Sequence, residues 1–156
     1  MKIHLIAVGS KMPSWVEAGV AEYQKRLSSD FSLFITEIPL ANRSKNSPLA
    51  PAMQKEAKRL MEACGKNDYI VALDVKGQTL STANLAGKFN RIRQGGQNIS
   101  FLIGGPDGLT NACLESADAR WSLSALTLPH SIVRVVLVEQ IYRAWSILNN
   151  HPYHRP

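Results

Sequence analysis

Cysteine is scarce in this chain. Cys64 and Cys113 are the only two, they lie far apart, and neither belongs to a CxxC pair. That excludes a disulfide scaffold and a cysteine-rich zinc module, leaves no expected metal site, and fits a reducing compartment. Long apolar runs are missing too. Residues 3–8 are too short for the apolar region of a signal peptide, and nothing approaches the roughly 18 residues of a membrane span, so the expected location is the cytoplasm, with no membrane partner. Acidic residues are the minority: 12 Asp and Glu against 18 Lys and Arg give a net charge of +6, which favours an anionic partner such as nucleic acid. The chain also lacks GxGxxG, GxxxxGK[ST], GxSxG and HExxH, so dinucleotide, nucleoside-triphosphate, serine-hydrolase and zincin readings lose support. What is present is 156 residues, 45% of them hydrophobic, enough to bury the core of one domain spanning residues 1–156.

Five runs rich in Ile, Val and Leu alternate with helix-like stretches, the mark of βαβ units and a parallel sheet. The runs are 3–8, 31–38, 69–75, 99–103 and 121–124. Pro13 fits the start of a helix to about Leu27, with Trp15, Val16, Val20 and Tyr23 at helical spacing. Between 39 and 51 the sequence PLANRSKNSPLAP has no periodicity and reads as a long mobile loop, followed by a helix over 52–64. Lys76-Gly77-Gln78 turns out of the third strand, Ser81 or Thr82 caps a helix to about Gln94, and Thr110 caps a short helix. The last helix covers 131–149.

On a helical wheel the last helix gathers Glu139, Gln140, Arg143 and Ser146 into one arc, and apolar residues cover most of the rest. So narrow a polar face suits a helix packed on the sheet and on a partner subunit, most simply in a two-fold homodimer, or one enclosed within a single domain. Arg134 lies opposite that arc among apolar neighbours. A buried arginine needs anionic or carbonyl partners, which makes it a candidate for a ligand, a substrate phosphate or an interface pair.

In an open parallel sheet, ligands bind beyond the carboxyl ends of the strands. Three connections there stand out: Leu73-Asp74-Val75-Lys76-Gly77, Gly104-Gly105-Pro106-Asp107-Gly108, and residues 124–130. Glycines let a ligand approach the backbone, although GGPDG alone also suits an ordinary tight turn. Ala125-Leu126-Thr127-Leu128 is apolar where a solvent loop should be polar, which suits a flat heterocycle such as adenine. The ending Asn149-Asn150-His151-Pro152-Tyr153-His154-Arg155-Pro156 packs stacking and cationic groups too densely for a discarded tail and is expected to bind substrate. Basic residues gather at Arg43, Lys45, Lys55, Lys58 and Arg59 and at Lys88, Arg91 and Arg93, as a solvated helix face or a phosphate-contacting surface.

Three motifs, LIGGPDG, WSLSALTLPH and NNHPYHRP, together with Arg134 and the opening KIHLIAVGSKMPSWV, closely resemble the ribosomal large-subunit RNA methyltransferase H family, of the SPOUT class of knotted methyltransferases. The resemblance covers the whole chain. It implies an α/β fold, a parallel sheet flanked by helices with a C-terminal trefoil knot, an exception to the rule against threaded chains. It implies transfer of a methyl group from S-adenosylmethionine to N3 of a pseudouridine in large-subunit ribosomal RNA, on assembled ribosomes, by a homodimer. Carried onto this sequence, the cofactor pocket would use Leu73, Gly104, Gly105, Leu123, Ser124, Ala125, Leu126, Thr127 and Leu128.

The sulfonium carries its own activation, so the protein must chiefly position donor and acceptor. The acceptor N3 must lose a proton, and a general base or an oxyanion-stabilising cation would help. Candidates are His130, which alternatively only holds the loop by a hydrogen bond, and His154 or Arg155, reaching the partner's pocket in one reading. Tyr153 is placed to stack on a splayed base, and Arg134, Tyr153, His154 and Arg155 form the expected substrate-binding set. The competing classes are a ribosome-binding factor that holds S-adenosylmethionine without catalysis and a small-molecule enzyme that would not need the tail.

Overall fold

The computed structural model describes every residue, Met1–Pro156. Five strands form one sheet: β1 (Lys2–Val8), β2 (Ser32–Ile38), β3 (Tyr69–Thr79), β4 (Ile99–Ile103) and β5 (Ala119–Ser122), in the order β2-β1-β4-β3-β5, with every pairing parallel. The helices are α1 (Ser14–Gln24), α2 (Leu49–Ala63), α3 (Thr82–Gln94), α4 (Asn111–Ser116) and α5 (His130–Leu148). The alternation in the strands decides which layer covers which face. Ile3, Leu5 and Ala7 of β1 and Ile99, Phe101 and Ile103 of β4 join residues of α1, α3 and α5 in one buried cluster, while Ile6, Val8 and Leu102 join Leu60 of α2 and Cys113 of α4 in the other. A sheet covered on both faces explains why the strands read as continuous apolar runs rather than alternating ones.

Within the larger cluster the aromatics meet edge to face: Phe31 on Phe89 at 5.7 Å, Phe89 on Phe101 at 6.2 Å, and Phe101 on Trp121 at 5.9 Å between ring centroids. Such pairs add about 0.5–1.5 kcal/mol each beyond the area they bury. The chain of rings ends at Trp121, which fixes the end of β5 and hence the start of the loop that follows it.

Three boundaries differ from the sequence expectation, each for a physical reason. Helix α2 begins at Leu49 and takes Pro51 into its first turn, where an amide has no intrahelical partner to lose. The 39–48 connection is held down: Arg43 ties it to Glu56 and Asp107, so the mobile loop read from its composition is an anchored one. Strand β3 does not simply end at Val75. Leu73 and Gln78 both register with Trp121, so Asp74–Val75–Lys76–Gly77 bulge out and the strand then resumes. Gly77 is required there, because a Cβ on it would lie 2.8 Å from the Arg120 carbonyl oxygen of β5.

Helix α5 lies between α1 and α3 on the sheet. Its polar arc is spent inside the chain rather than in solvent. Gln140 accepts from Thr82 Oγ1 at 2.8 Å, Arg143 Nε donates to Glu139 at 2.8 Å, and the fully buried Ser146 hydroxyl donates to the Arg143 carbonyl at 2.6 Å. Flanking helices therefore give α5 more cover within one chain than the wheel implied, while Ile132, Val135 and Val136 remain only half-buried. No helix is long and apolar enough to cross a membrane.

Candidate active site

The three connections singled out from the sequence converge on one cavity of about 230 Å³ at the bulge of β3 and the carboxyl ends of β4 and β5. Leu73, Gly104, Gly105, Leu123, Ser124, Leu126, Thr127 and Leu128 line it, as does His130 at the first turn of α5. Of the expected cofactor residues, Ala125 alone is absent from the wall, and it is exposed. The bulge in β3 is what brings Asp74 and Val75 to the same wall.

The glycine turn is tightly closed. The Gly108 amide donates to the Gly105 carbonyl at 3.0 Å, and a Cβ on Gly104 would fall 2.6 Å from the Gly108 carbonyl carbon. GGPDG is thus a tight turn whose backbone also forms cavity wall. The loop after β5 is shaped by its own hydroxyls: Ser122 Oγ donates to the Ser124 carbonyl at 2.8 Å, and the Leu126 amide donates to Ser124 Oγ at 2.9 Å. The amides of Ala125, Thr127 and Leu128 donate to no acceptor in the chain. Leu126 is 73% exposed, an apolar side chain held in solvent by the loop's geometry. Apolar walls with available backbone donors match a flat, polar-edged heterocycle.

The structure adds residues that sequence reasoning passed over. Trp121 is 3% exposed, lines the cavity, and its indole N–H has no partner in the chain. A buried donor without an acceptor is uncommon. Asp74 supplies a carboxylate on the same wall, able to accept from ribose-type hydroxyls or to face a cation. The available signal was position, since Asp74 lies within the first connection and Trp121 opens the motif that runs into the third.

The other candidates are placed differently. Arg134 is 5% exposed and finds both kinds of partner within the chain: Nη1 donates to Glu37 at 2.8 Å and Nη2 to the Gly9 carbonyl at 2.9 Å, leaving only Nε unpaired. Of the anionic and carbonyl partners expected for a buried arginine, the chain itself supplies one of each. A methyl group built on Gly9 would lie 3.8 Å from Arg134 Nη2 and 4.0 Å from His130 Nε2, so Arg134 fixes the turn against which His130 rests. Arg43 is likewise no free phosphate contact, its donors being taken by Glu56, Asp107 and the Ala41 carbonyl.

The tail is ordered and docked on its own helix. Tyr153 donates to Glu139 Oε1 at 3.0 Å, packs on Tyr142 at 4.6 Å between centroids, and lies under the Arg143 guanidinium at 4.6 Å. Burial, together with Tyr23 and the Glu139 carboxylate, pushes its phenol well above the ordinary range, so it is a hydrogen-bond donor at any working pH. His154 buries an Nδ1 atom that meets no partner. Glu139 stands nine positions along α5 from His130, about 13 Å at the helical rise of 1.5 Å per residue. The structure therefore brings His130 to the cavity and does not bring Tyr153, His154 or Arg155 there within one chain. Neither cysteine is poised as a nucleophile: burial pushes the Cys64 thiol up to about 11 and raises that of Cys113.

Known proteins were compared with the chain as a whole. A family model described as "Predicted SPOUT methyltransferase" matches residues 1–154. The protein named Ribosomal RNA large subunit methyltransferase H of Marinomonas sp. (strain MWYL1) is 52% identical over 155 residues, covering 99% of this chain and 100% of that protein. The protein of the same name from Thioalkalivibrio sulfidiphilus (strain HL-EbGR7) is also 52% identical, over 99% of both chains. Among solved structures, one described as a probable methylase family protein from Haemophilus influenzae Rd KW20 superposes with a TM-score of 0.59 over 99% of this chain and 70% of that one; at 16% identity it speaks for the fold alone. With a full-length family match and half of all residues shared with these relatives, the chain belongs to the SPOUT methyltransferase family, in the group of ribosomal RNA large subunit methyltransferase H.

Proposed function

We propose that this chain methylates N3 of a pseudouridine in large-subunit ribosomal RNA, with S-adenosylmethionine as donor, acting on assembled ribosomes in the cytoplasm as a homodimer whose C-terminal segment carries the family's trefoil threading. The observation that carries the reading is the convergence of the three connections on one cavity with apolar walls and available amides. Those groups fit the cofactor's parts: the loop 123–128 and Gly104–Gly105 face a heterocycle, Asp74 accepts from hydroxyls, and the first turn of α5 offers amides to a carboxylate. The bound sulfonium supplies an activated methyl group, so the chain's own work is positioning and proton handling.

His130 takes up the N3 proton or donates to the neighbouring oxygen as charge develops there, from a place on the cavity wall fixed by the Gly9 turn that Arg134 holds. Tyr153, His154 and Arg155 contact the RNA, the tyrosine by stacking and the arginine at phosphate. Because one chain docks its tail about 13 Å along α5 from His130, the two sets meet when a second copy presents its tail to the first copy's cavity. Two-fold association does this without breaking the Tyr153 contacts and covers the half-buried apolar row of α5.

The test is incubation with radiolabelled S-adenosylmethionine and either intact ribosomes or free ribosomal RNA from cells lacking the protein, followed by nucleoside mass spectrometry. Label on N3 of a pseudouridine, with ribosomes preferred, is expected. Cofactor binding without label would instead identify a non-catalytic ribosome-binding factor.

A further inference from the structure

One polar cluster stands behind the cavity without lining it. Arg43, in the 39–48 connection, donates from both terminal nitrogens to the two oxygens of Glu56, from Nη1 to the Ala41 carbonyl at 3.0 Å, and from Nε to Asp107 Oδ2 at 2.7 Å. Glu56, on α2, is 3% exposed and also accepts the Ala41 amide at 2.9 Å. Asp107 belongs to the Gly104–Gly108 turn, whose three glycines all face the cavity while Asp107 points away from its wall. Leu40 touches the same turn: a Cβ on Gly105 would lie 3.4 Å from Leu40 Cδ1.

A turn with three glycines in five residues has little intrinsic stiffness. Its one internal bond, from the Gly108 amide to the Gly105 carbonyl, closes it on itself and does not orient it on the sheet. Asp107 is the side chain that ties it to another element, and Arg43 is the tie. The guanidinium suits the task because its planar fork engages a carboxylate with two donors and still presents Nε, which lysine cannot do.

We propose that Arg43 is a positioning residue for the cofactor: anchored on buried Glu56, it holds Asp107 and thereby sets the Gly104–Gly105 backbone at the geometry the cofactor needs. The inference rests on the reading of the cavity as the S-adenosylmethionine site. It also gives the 39–48 connection a part in positioning the cofactor, where basic composition alone left a solvated face and a phosphate-contacting surface both open.

The test uses full-length protein and S-adenosylhomocysteine as the probe. Asp107→Ala cuts the tie while leaving Arg43 on Glu56, and Arg43→Lys keeps a positive charge without the fork. In each, calorimetric affinity for the probe is expected to fall about tenfold, the KM for S-adenosylmethionine to rise equally, and kcat on ribosomes to stay within about twofold. The double variant is expected to bind no more weakly than the weaker single one, because both remove one link. Asp107→Ala that folds and binds the probe like the wild type overturns the proposal, as does a fall in kcat at unchanged KM. Wild-type protein that binds no probe at all would instead strike the cofactor reading, and the tie would fall with it.

Discussion

Substituting alanine along the glycine turn separates close approach from backbone conformation, because its three glycines are needed for different reasons. A Cβ on Gly104 would meet the Gly108 carbonyl carbon at 2.6 Å, its oxygen at 2.8 Å and its Cα at 2.9 Å, all of them backbone in a closed turn. Nothing there can swing aside, so Gly104→Ala should cost near the upper end of the about 1–3 kcal/mol typical of overpacking. At about 2–4 °C per kcal/mol for a chain of this size, the melting temperature should fall by about 6–12 °C. Gly108 has a φ of +75° and open space around its Cα, so Gly108→Ala should cost only the left-handed strain, about 1–2 kcal/mol. Gly105 has neither restriction: its Cβ would lie 3.0 Å from Val8 Cγ1, which yields by a few tenths of an ångström, and Gly105→Ala should cost under about 1 kcal/mol. Thermal melts by circular dichroism with S-adenosylhomocysteine titrations on the same samples give the order, Gly104 worst in both stability and affinity. A Gly104→Ala protein that melts with Gly105→Ala would refute the claim that the turn is closed against itself.

Three further outcomes follow from the same geometry. Arg134→Met should lower stability by about 2–3 kcal/mol, less than a fully buried pair because the Glu37 side chain is 38% exposed and rehydrates, while the salt slope of ribosome binding stays that of the wild type; a slope reduced by about one with an unchanged melt would make Arg134 a phosphate contact. Burial pushes the Glu56 carboxyl up, but Arg43 and the Ala41 amide outweigh it and hold it below the usual 4.5, so its contribution is complete above that pH and lost as pH falls through the lowered value; Glu56→Gln should flatten the acid limb of the melting curve against pH. Removing residues 153–156 should leave S-adenosylhomocysteine affinity within about twofold and reduce methyl transfer at least about 100-fold, and transfer that survives the deletion would mean the tail does not serve the reacting centre.

The fold was legible where one physical cause acts locally. The strands were visible because both sheet faces are covered, and Ser81 and Thr110 were visible as caps because their hydroxyls accept the Asn84 and Cys113 amides. The cavity was legible because its parts are loops whose composition is wrong for solvent. What escaped was set by partners distant in sequence. Arg43 and Asp107 are 64 positions apart, and Arg134 and Glu37 are 97, so composition could mark each as charged without saying which would be neutralised. The bulge in β3 was half legible: Lys76-Gly77 signalled a turn, but that the strand resumes beside β5 depends on the Arg120 backbone. Trp121 read as the start of the fifth strand, and that its N–H finds no partner depends on the assembled fold.

The near-complete apolar coat of α5 invited two explanations, and the fold divides the helix between them. Its polar arc is consumed by α3 and by the tail, so a narrow polar face does not by itself require a partner. The stronger reason for one lies in the placement of functional groups. Nineteen residues of helix separate the cavity end, with His130 and Val133, from the end that bears the tail, about 28 Å at 1.5 Å per residue. Tyr153 recovers only part of that length when it folds back to Glu139. A single copy thus holds the cavity at one end of α5 and its aromatic and cationic tail groups towards the other. In a two-fold pair, antiparallel α5 helices would set each tail beside the partner's cavity while every intrachain contact of Tyr153 persists. On the proposed arrangement the homodimer would be required by the chemistry, and covering apolar surface would be its secondary benefit.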